Sequence, residues 1–334
     1  MDKYQYMVCV RCMTYNQESY IKDALNGFVM QQTDFPFIVV VVDDCSTDNT
    51  AGIVRAYEKE YPHIIKGVYL TENYYSQHKS KQVFLDPYEK RSKYIALCEG
   101  DDYWTDPRKL QKQVDFLESH DDYVLCCSAF TVTNEGHEEE PFVIHDANDK
   151  DEITLDDVLC EYWIGTLTTV FRSDLIADYE PPFPLFPMGD LQLWGFLATK
   201  GKIGYLSDVT ANYRSLIASA SHFSDLKKHD QFLLESMCIR EYYAREHDRL
   251  SVVTPIFRKK AHSIFEDCYK NGWLDFPKET LWHFVKEYGH PSAYDKLKYW
   301  GLKSAVNYRL SNRVLHCLKK AHEDRSCCLG NGQE

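Results

Sequence analysis

Residues 94–104 read Tyr-Ile-Ala-Leu-Cys-Glu-Gly-Asp-Asp-Tyr-Trp: an apolar run of the kind found in a buried strand breaks off into three carboxylates, Glu99, Asp101 and Asp102. Carboxylates this close repel one another where the dielectric is low. Keeping them ionised calls for a divalent cation or another counter-charge. Residues 37–42 repeat the design, a β-branched run that ends in Asp43 and Asp44. Open α/β sheets bind ligands outside the carboxyl ends of their strands, so two acidic strand ends imply one site fed by two strands. A blander alternative is that Asp after a strand only turns the chain and caps the next helix. That alternative weighs more on Asp43 and Asp44 than on the later cluster, where Thr105 or Asp106 already supplies a cap ahead of Pro107.

Such carboxylates need a frame, and alternating strand and helix patterns supply one. Residues 6–13 form the first strand, and Ile21, Leu25 and Phe28 mark the apolar stripe of the helix after it. Residues 37–42 are the second strand. Ser46, Thr47 or Asp48 then caps a helix whose inner face carries Ile53, Tyr57 and Tyr61. Residues 64–70 are the third strand, 71–91 are polar and irregular, 94–97 are the fourth strand, and Leu110, Val114 and Leu117 line the next helix. This run implies a parallel sheet with helices on both faces. Residues 123–133 read as a further strand, 134–151 as an acidic loop that is either a lid or plain solvated surface, and the chain from 224 onward as helix-rich.

With 334 residues the chain can bury one large domain and carry a smaller appendage. A net charge of −13 argues against a nucleic-acid partner, whose affinity rests on Lys and Arg neutralising phosphate. No apolar stretch reaches bilayer length and the first residues lack a secretory pattern, so the expected location is cytoplasmic. Twelve scattered cysteines fit buried thiols in a reducing compartment. Cys9 and Cys12 fall on a strand at an odd separation that points them to opposite faces, which disfavours a zinc site. Trp163, Phe186 and Trp194 are candidates to stack on the apolar face of a sugar or to fill the core. Lys79 and Lys81 could reach a phosphate, although solvated loop lysines are the simpler reading. Residues 296–320 contain no acid and carry Lys298, Lys303, Arg309, Arg313 and Lys319 among Tyr, Trp, Leu and Val. That stripe is compatible with peripheral contact at the inner face of the cell membrane, or with a helix whose basic face lies in water.

Residues 39–50, Val-Val-Val-Val-Asp-Asp-Cys-Ser-Thr-Asp-Asn-Thr, resemble the "VDDxSxDxT" element of family 2 glycosyltransferases with the GT-A fold. Residues 98–107 resemble their DxD-type metal motif, residues 11–18 are similar to the "TYNxE" that opens such domains, and residues 188–194 are similar to the "GDxxLW" catalytic-base element. The resemblance implies an α/β fold, a GT-A-type Rossmann-like mixed and mainly parallel sheet flanked by helices, with a helical C-terminal extension. Residues 1–223 would be the catalytic domain, with 1–125 the nucleotide-sugar and metal half and 126–223 the acceptor half, and 224–334 the extension.

The implied reaction is inverting transfer from a nucleoside-diphosphate sugar, expected to be a UDP-sugar, to a hydroxyl of a glycan or lipid-linked acceptor. The setting it implies is a surface polysaccharide, lipopolysaccharide or capsule pathway. By the same resemblance Asp101 binds Mn²⁺ or Mg²⁺, Glu99 and Gly100 lie at the ribose and metal shell, and Asp102 supports them. Asp43 or Asp44 bonds the base or ribose, while Thr14, Tyr15 and Glu18 line the nucleotide pocket. Asp190 takes the acceptor proton; the competing role is the N-cap of a helix over 191–200. Residues 204–222 resemble the stretch from which Arg214 and His222 would reach the diphosphate or metal. Two rival classes are a catalytically silent nucleotide-sugar-binding scaffold and a metal-dependent phosphohydrolase or nucleotidyltransferase. The oligomeric state is left open.

Overall fold

The computed structural model describes residues 4–135, 140–144, 150–177, 179–216 and 225–316. Strand and helix alternate as β1 (Tyr6–Thr14), α1 (Ile21–Val29), β2 (Phe37–Asp43), α2 (Thr50–Glu60), β3 (Ile65–Tyr69), α3 (Gln82–Glu89), β4 (Ser92–Leu97), β5 (Tyr103–Trp104), α4 (Lys109–Ser119) and β6 (Tyr123–Asn134). There follow β7 (Phe142–Ile144), β8 (Glu152–Ile153), α5 (Leu155–Leu159), β9 (Val170–Arg172), α6 (Gly189–Ala198) and β10 (Lys202–Ser215). The sheet runs β3-β2-β1-β4-β9-β6-β10-β5, with β7 paired to β6 and β8 to β10. The first four strands in that order are parallel, β9 is antiparallel to both neighbours, and β6 and β10 are again parallel. This is the expected mixed, mainly parallel sheet.

Every residue of β2 is buried, which follows from covering both faces of an interior parallel strand. Cys12 packs on one side with Val39, Val41 and Phe28, and Cys9 on the other with Ile38, Val40 and Leu85. The two thiols of the CxxC therefore point apart. Trp104 anchors the first core: it is 1 % exposed, meets Phe28 edge-on at 4.9 Å, and its indole N–H donates to the Leu167 carbonyl at 2.8 Å. Gly27 allows α1 to approach β5, because a Cβ there would stand 2.9 Å from the Trp104 backbone nitrogen and oxygen.

Residues 71–91 are not wholly irregular, since α3 lies within them despite Pro87. Buried Leu85 and Glu89 hold it, so tertiary packing overrides a weak local pattern. Met1–His222 and Phe223–Glu334 form two compact units. The second contains α7 (Leu226–Glu246), α8 (Leu250–Asn271), α9 (Lys278–Gly289) and α10 (Ala293–Leu302), followed by helical backbone at 305–316. Its own core includes Val253, Phe257, Phe265, Phe284 and Leu302. Gly272, at φ +64°, ends α8 in the left-handed conformation that favours glycine. Among the described residues no helix is long and apolar enough to cross a membrane.

Candidate active site

Strand register sets the site. Thr14 lies beside Asp43 and Arg11 beside Leu97, so β2, β1 and β4 end at one edge, where the strand order reverses between β1 and β4. A crevice opens at such a reversal. The chain beyond each strand stays laced to β1: the Asp44 amide donates to the Thr14 carbonyl (2.9 Å) and the Gly100 amide to the Met13 carbonyl (2.9 Å). Gly100 is needed for that approach. A Cβ there would stand 2.5 Å from Gln17 Oε1, 2.8 Å from Thr14 Oγ1 and 2.9 Å from Ile21 Cδ1.

The loops after β1 and β2 form one braced surface. The Asn16 amide donates to Ser46 Oγ (2.9 Å) while Asn16 Oδ1 accepts from the Thr47 amide (2.7 Å). The Glu18 amide donates to Asp48 Oδ2 (3.0 Å) and Glu18 Oε2 accepts from the Asn49 amide (2.8 Å). Thr14 is buried, its hydroxyl donating to Gln17 Oε1 at 2.7 Å, whereas Tyr15 is exposed. Asp43 is buried and accepts from the Ser46 hydroxyl and amide, which is the turn-forming role. Asp44 accepts from the amides of Tyr74 (2.7 Å) and Tyr75 (2.9 Å) and pairs with Lys81 at 2.9 Å. Burial alone would raise its pKa, but Lys81 and the two amides outweigh that and hold it below the usual range.

Three further carboxylates, Glu99, Asp101 and Asp102, follow the end of β4. Glu99 meets solvent on one side and is surrounded by protein on the others. Burial, then Asp101, then Asp190 push its pKa up to about 7 against the weaker pull of Arg11 and Lys81. Asp101 is raised by burial, opposed by Arg214 and by a hydrogen bond from Gln17. Asp102 is 4 % exposed and raised well above its usual value by burial and by Asp101. Its oxygen accepts from the Arg214 amide at 2.8 Å, so Asp102 braces β4 to β10 from behind instead of lining the crevice. The Arg214 guanidinium donates to the Asp101 carbonyl (2.7 Å), pairs with Asp23 and lies over the rings of Tyr103 and Tyr20. His222 lies outside the described residues.

Asp190 is not an N-cap. Helix α6 begins at Gly189 after Met188, which puts Asp190 on the first turn, exposed, with Leu191 N donating to Oδ1 (2.7 Å) and Thr166 Oγ1 to Oδ2 (3.4 Å). The amide dipoles of a first turn favour an anion there. Trp194 belongs to the core at 3 % exposure, while Trp163 is 49 % exposed and edge-on to Phe130 and Tyr213. Phe186 stacks on Phe183 at 4.9 Å. Lys79 pairs with Glu72 at the surface, as a solvated loop lysine does. Lys81 departs from that reading: its side chain is only 15 % exposed and lies between Asp44 and the field of Glu99. Lys81 was a phosphate candidate from the sequence, whereas Arg11, Gln17 and Thr166 were given no individual role there, since their contacts are made across the fold.

The donor set suits a hard cation. Glu99 and Asp101 bring two repelling carboxylates into one hollow, and Mg²⁺ or Mn²⁺ takes oxygen ligands of this kind. Among the described residues the one His/Cys/Asp/Glu trio whose ligand atoms converge within 4.8 Å lies elsewhere, at His262, Glu266 and Asp295. There Lys298 already neutralises Glu266, and Asp295 caps α10. Among the described residues the crevice is thus no closed cage of protein ligands, and a cation in it would draw further oxygens from substrate and water.

A Rossmann-like sheet with acidic strand ends at the reversal defines the class as the GT-A fold. The S. aureus TarS fragment 1–349 solved in complex with UDP shares that fold, with a TM-score of 0.59 at 20% identity over 92% of this chain and 91% of that one. Residues 9–161, a little under half of the chain, match the model for Glycosyl transferase family 2, so that segment is similar to the family. An uncharacterized protein of Mycobacterium tuberculosis is 36% identical over 203 residues, covering 60% of this chain and 57% of that one. The chain therefore spans a little over half the length of the first curated relatives it matches. The putative teichuronic acid biosynthesis glycosyltransferase TuaG of Bacillus subtilis is 29% identical over 231 residues, 66% of this chain and 84% of that one.

Proposed function

We propose that the chain is an inverting glycosyltransferase that moves a sugar from a nucleoside diphosphate, UDP in the first instance, to a hydroxyl of a glycan or lipid-linked acceptor in surface-polysaccharide synthesis. The carrying observation is that β1, β2 and β4 end at one sheet edge where the strand order reverses, which brings Asp43 and Asp44 after β2 to the same edge as Glu99 and Asp101 after β4. The relative named for teichuronic acid biosynthesis supports the acceptor class, and the UDP-bound neighbour supports the choice of donor to test first.

Asp101, with Glu99 beside it, would hold Mn²⁺ or Mg²⁺. When bound, that cation supplies Lewis-acid neutralisation of the charge growing on the diphosphate leaving group. Thr14, Tyr15 and the turn ordered by Asp43 and Asp44 line the nucleotide side, with Glu18 bracing that wall and Gly100 keeping the approach open. Lys81 adds positive charge to the same side. Asp190 accepts the proton of the acceptor hydroxyl as its oxygen bonds to the anomeric carbon and the bond to the diphosphate breaks. A single displacement inverts the configuration. Thr166 orients the Asp190 carboxylate, and Arg214 holds the Asp101 turn in place.

The test is release of UDP from UDP-sugars with Mn²⁺ and acceptor, compared between wild type and Asp190→Asn. The variant is expected to lose about 10²- to 10⁴-fold in kcat, as removal of a general base does, with donor binding retained. Full activity in Asp190→Asn would refute the assignment.

A further inference from the structure

Within the unit Phe223–Glu334, the helical backbone at 305–316 has two unlike faces. Ser311 is fully buried with its hydroxyl 2.8 Å from that of Tyr269, and the Tyr308 hydroxyl donates to the Tyr269 carbonyl at 2.9 Å, so this side packs on the unit. The other side presents Val306, Leu310 and Val314, which are 67%, 44% and 45% exposed. Their four-residue spacing stacks them in one stripe. Arg309 and Arg313 stand exposed along that stripe and make no ion pair among the described residues. Trp300, 41% exposed, borders it, its carbonyl accepting from Asn307 Nδ2 at 3.2 Å.

Apolar side chains in water beside unanswered arginines fit a surface that is apolar beneath and anionic on top. We propose that this face docks peripherally on an anionic lipid bilayer, with Val306, Leu310, Val314 and Trp300 entering the boundary between headgroups and acyl chains and Arg309 and Arg313 meeting lipid phosphates. The chain's net charge of −13 does not forbid this. Screening over about 8 Å at physiological ionic strength leaves the local basic face to decide. The proposal deepens the proposed function, because a lipid-linked acceptor lies at such a surface, and it rests on that reading only for its purpose.

The test is co-sedimentation of the full chain with phosphatidylcholine vesicles containing about one-third phosphatidylglycerol, against phosphatidylcholine alone, in about 0.1 M salt. Wild type is expected to bind the anionic vesicles and not the neutral ones. Arg309→Glu with Arg313→Glu, and separately Val306→Ser with Leu310→Ser, should each lower the bound partition at least about tenfold with circular dichroism unchanged. Equal binding by wild type and both variants overturns the proposal, as does absence of wild-type binding. Self-association of wild type that these substitutions abolish, without vesicle binding, assigns the face to a second copy and also overturns it. UDP release measured without lipid on the same preparations separates the two readings. Its loss in wild type alongside retained vesicle binding strikes only the enzymatic one.

Discussion

Glu99 and Asp190 differ in how their surroundings treat charge, and that difference is the chemistry of the crevice. Burial and like charge raise Glu99 to about 7, whereas Asp190 lies on a first helical turn that favours its anion. A carboxyl whose folded pKa exceeds its unfolded value contributes stability that is complete below the unfolded pKa and lost as pH rises through the folded one. For Glu99 that window runs from about 4.5 to about 7. In metal-free buffer the Tm difference between wild type and Glu99→Gln should therefore shift against wild type as the pH rises through that window, read between pH 4.5 and pH 8. A difference that stays flat with pH would disprove the electrostatic account of Glu99. The acidic cluster after β4 was legible because an apolar run breaks off there into three carboxylates, Glu99, Asp101 and Asp102. The bracing duty of Asp102 and the pairing of Lys81 were not legible, since each depends on a partner brought from a distant segment, the Arg214 amide in one case and Asp44 in the other.

At the scale of elements, two glycines set how closely the pieces meet. Gly100→Ala places a methyl against Gln17, Thr14 and Ile21. The expected cost is about 1–3 kcal/mol of stability with a larger relative loss of nucleotide affinity, read by denaturant unfolding and by calorimetry. Gly27→Ala forces α1 away from the Trp104 backbone, and about 1–3 kcal/mol is again expected, here with little change in nucleotide affinity once folded. Unchanged stability in both variants would contradict the packing described. β1 and β4 were readable from apolar runs and β2 from a β-branched one, and α1, α2 and α4 from their apolar spacing. β5, β7, β8 and β9 were not, because strands of two or three residues carry no period and exist only through their partners. The start of α6 two residues earlier than its sequence suggests is what moved Asp190 from a cap to the first turn.

For the whole molecule, every residue assigned to donor, cation or base lies in the unit Met1–His222. Under the proposed function a diphosphate would meet few cationic side chains among the described residues of the crevice, chiefly Lys81, Arg11 and Arg214, and a divalent cation would carry much of the neutralisation. In the first unit the ends of β1, β2 and β4 were legible, because three acidic or polar signatures fall there in sequence order. The second unit has helices whose faces only the structure assigns. The most direct measurement is calorimetric binding of UDP with Mn²⁺ to wild type, Asp101→Ala and Asp190→Asn. Wild type and Asp190→Asn should bind alike and only with the metal, while Asp101→Ala should lose at least about tenfold in affinity. Equal binding by Asp101→Ala, or binding by wild type that is indifferent to Mn²⁺, would contradict the account.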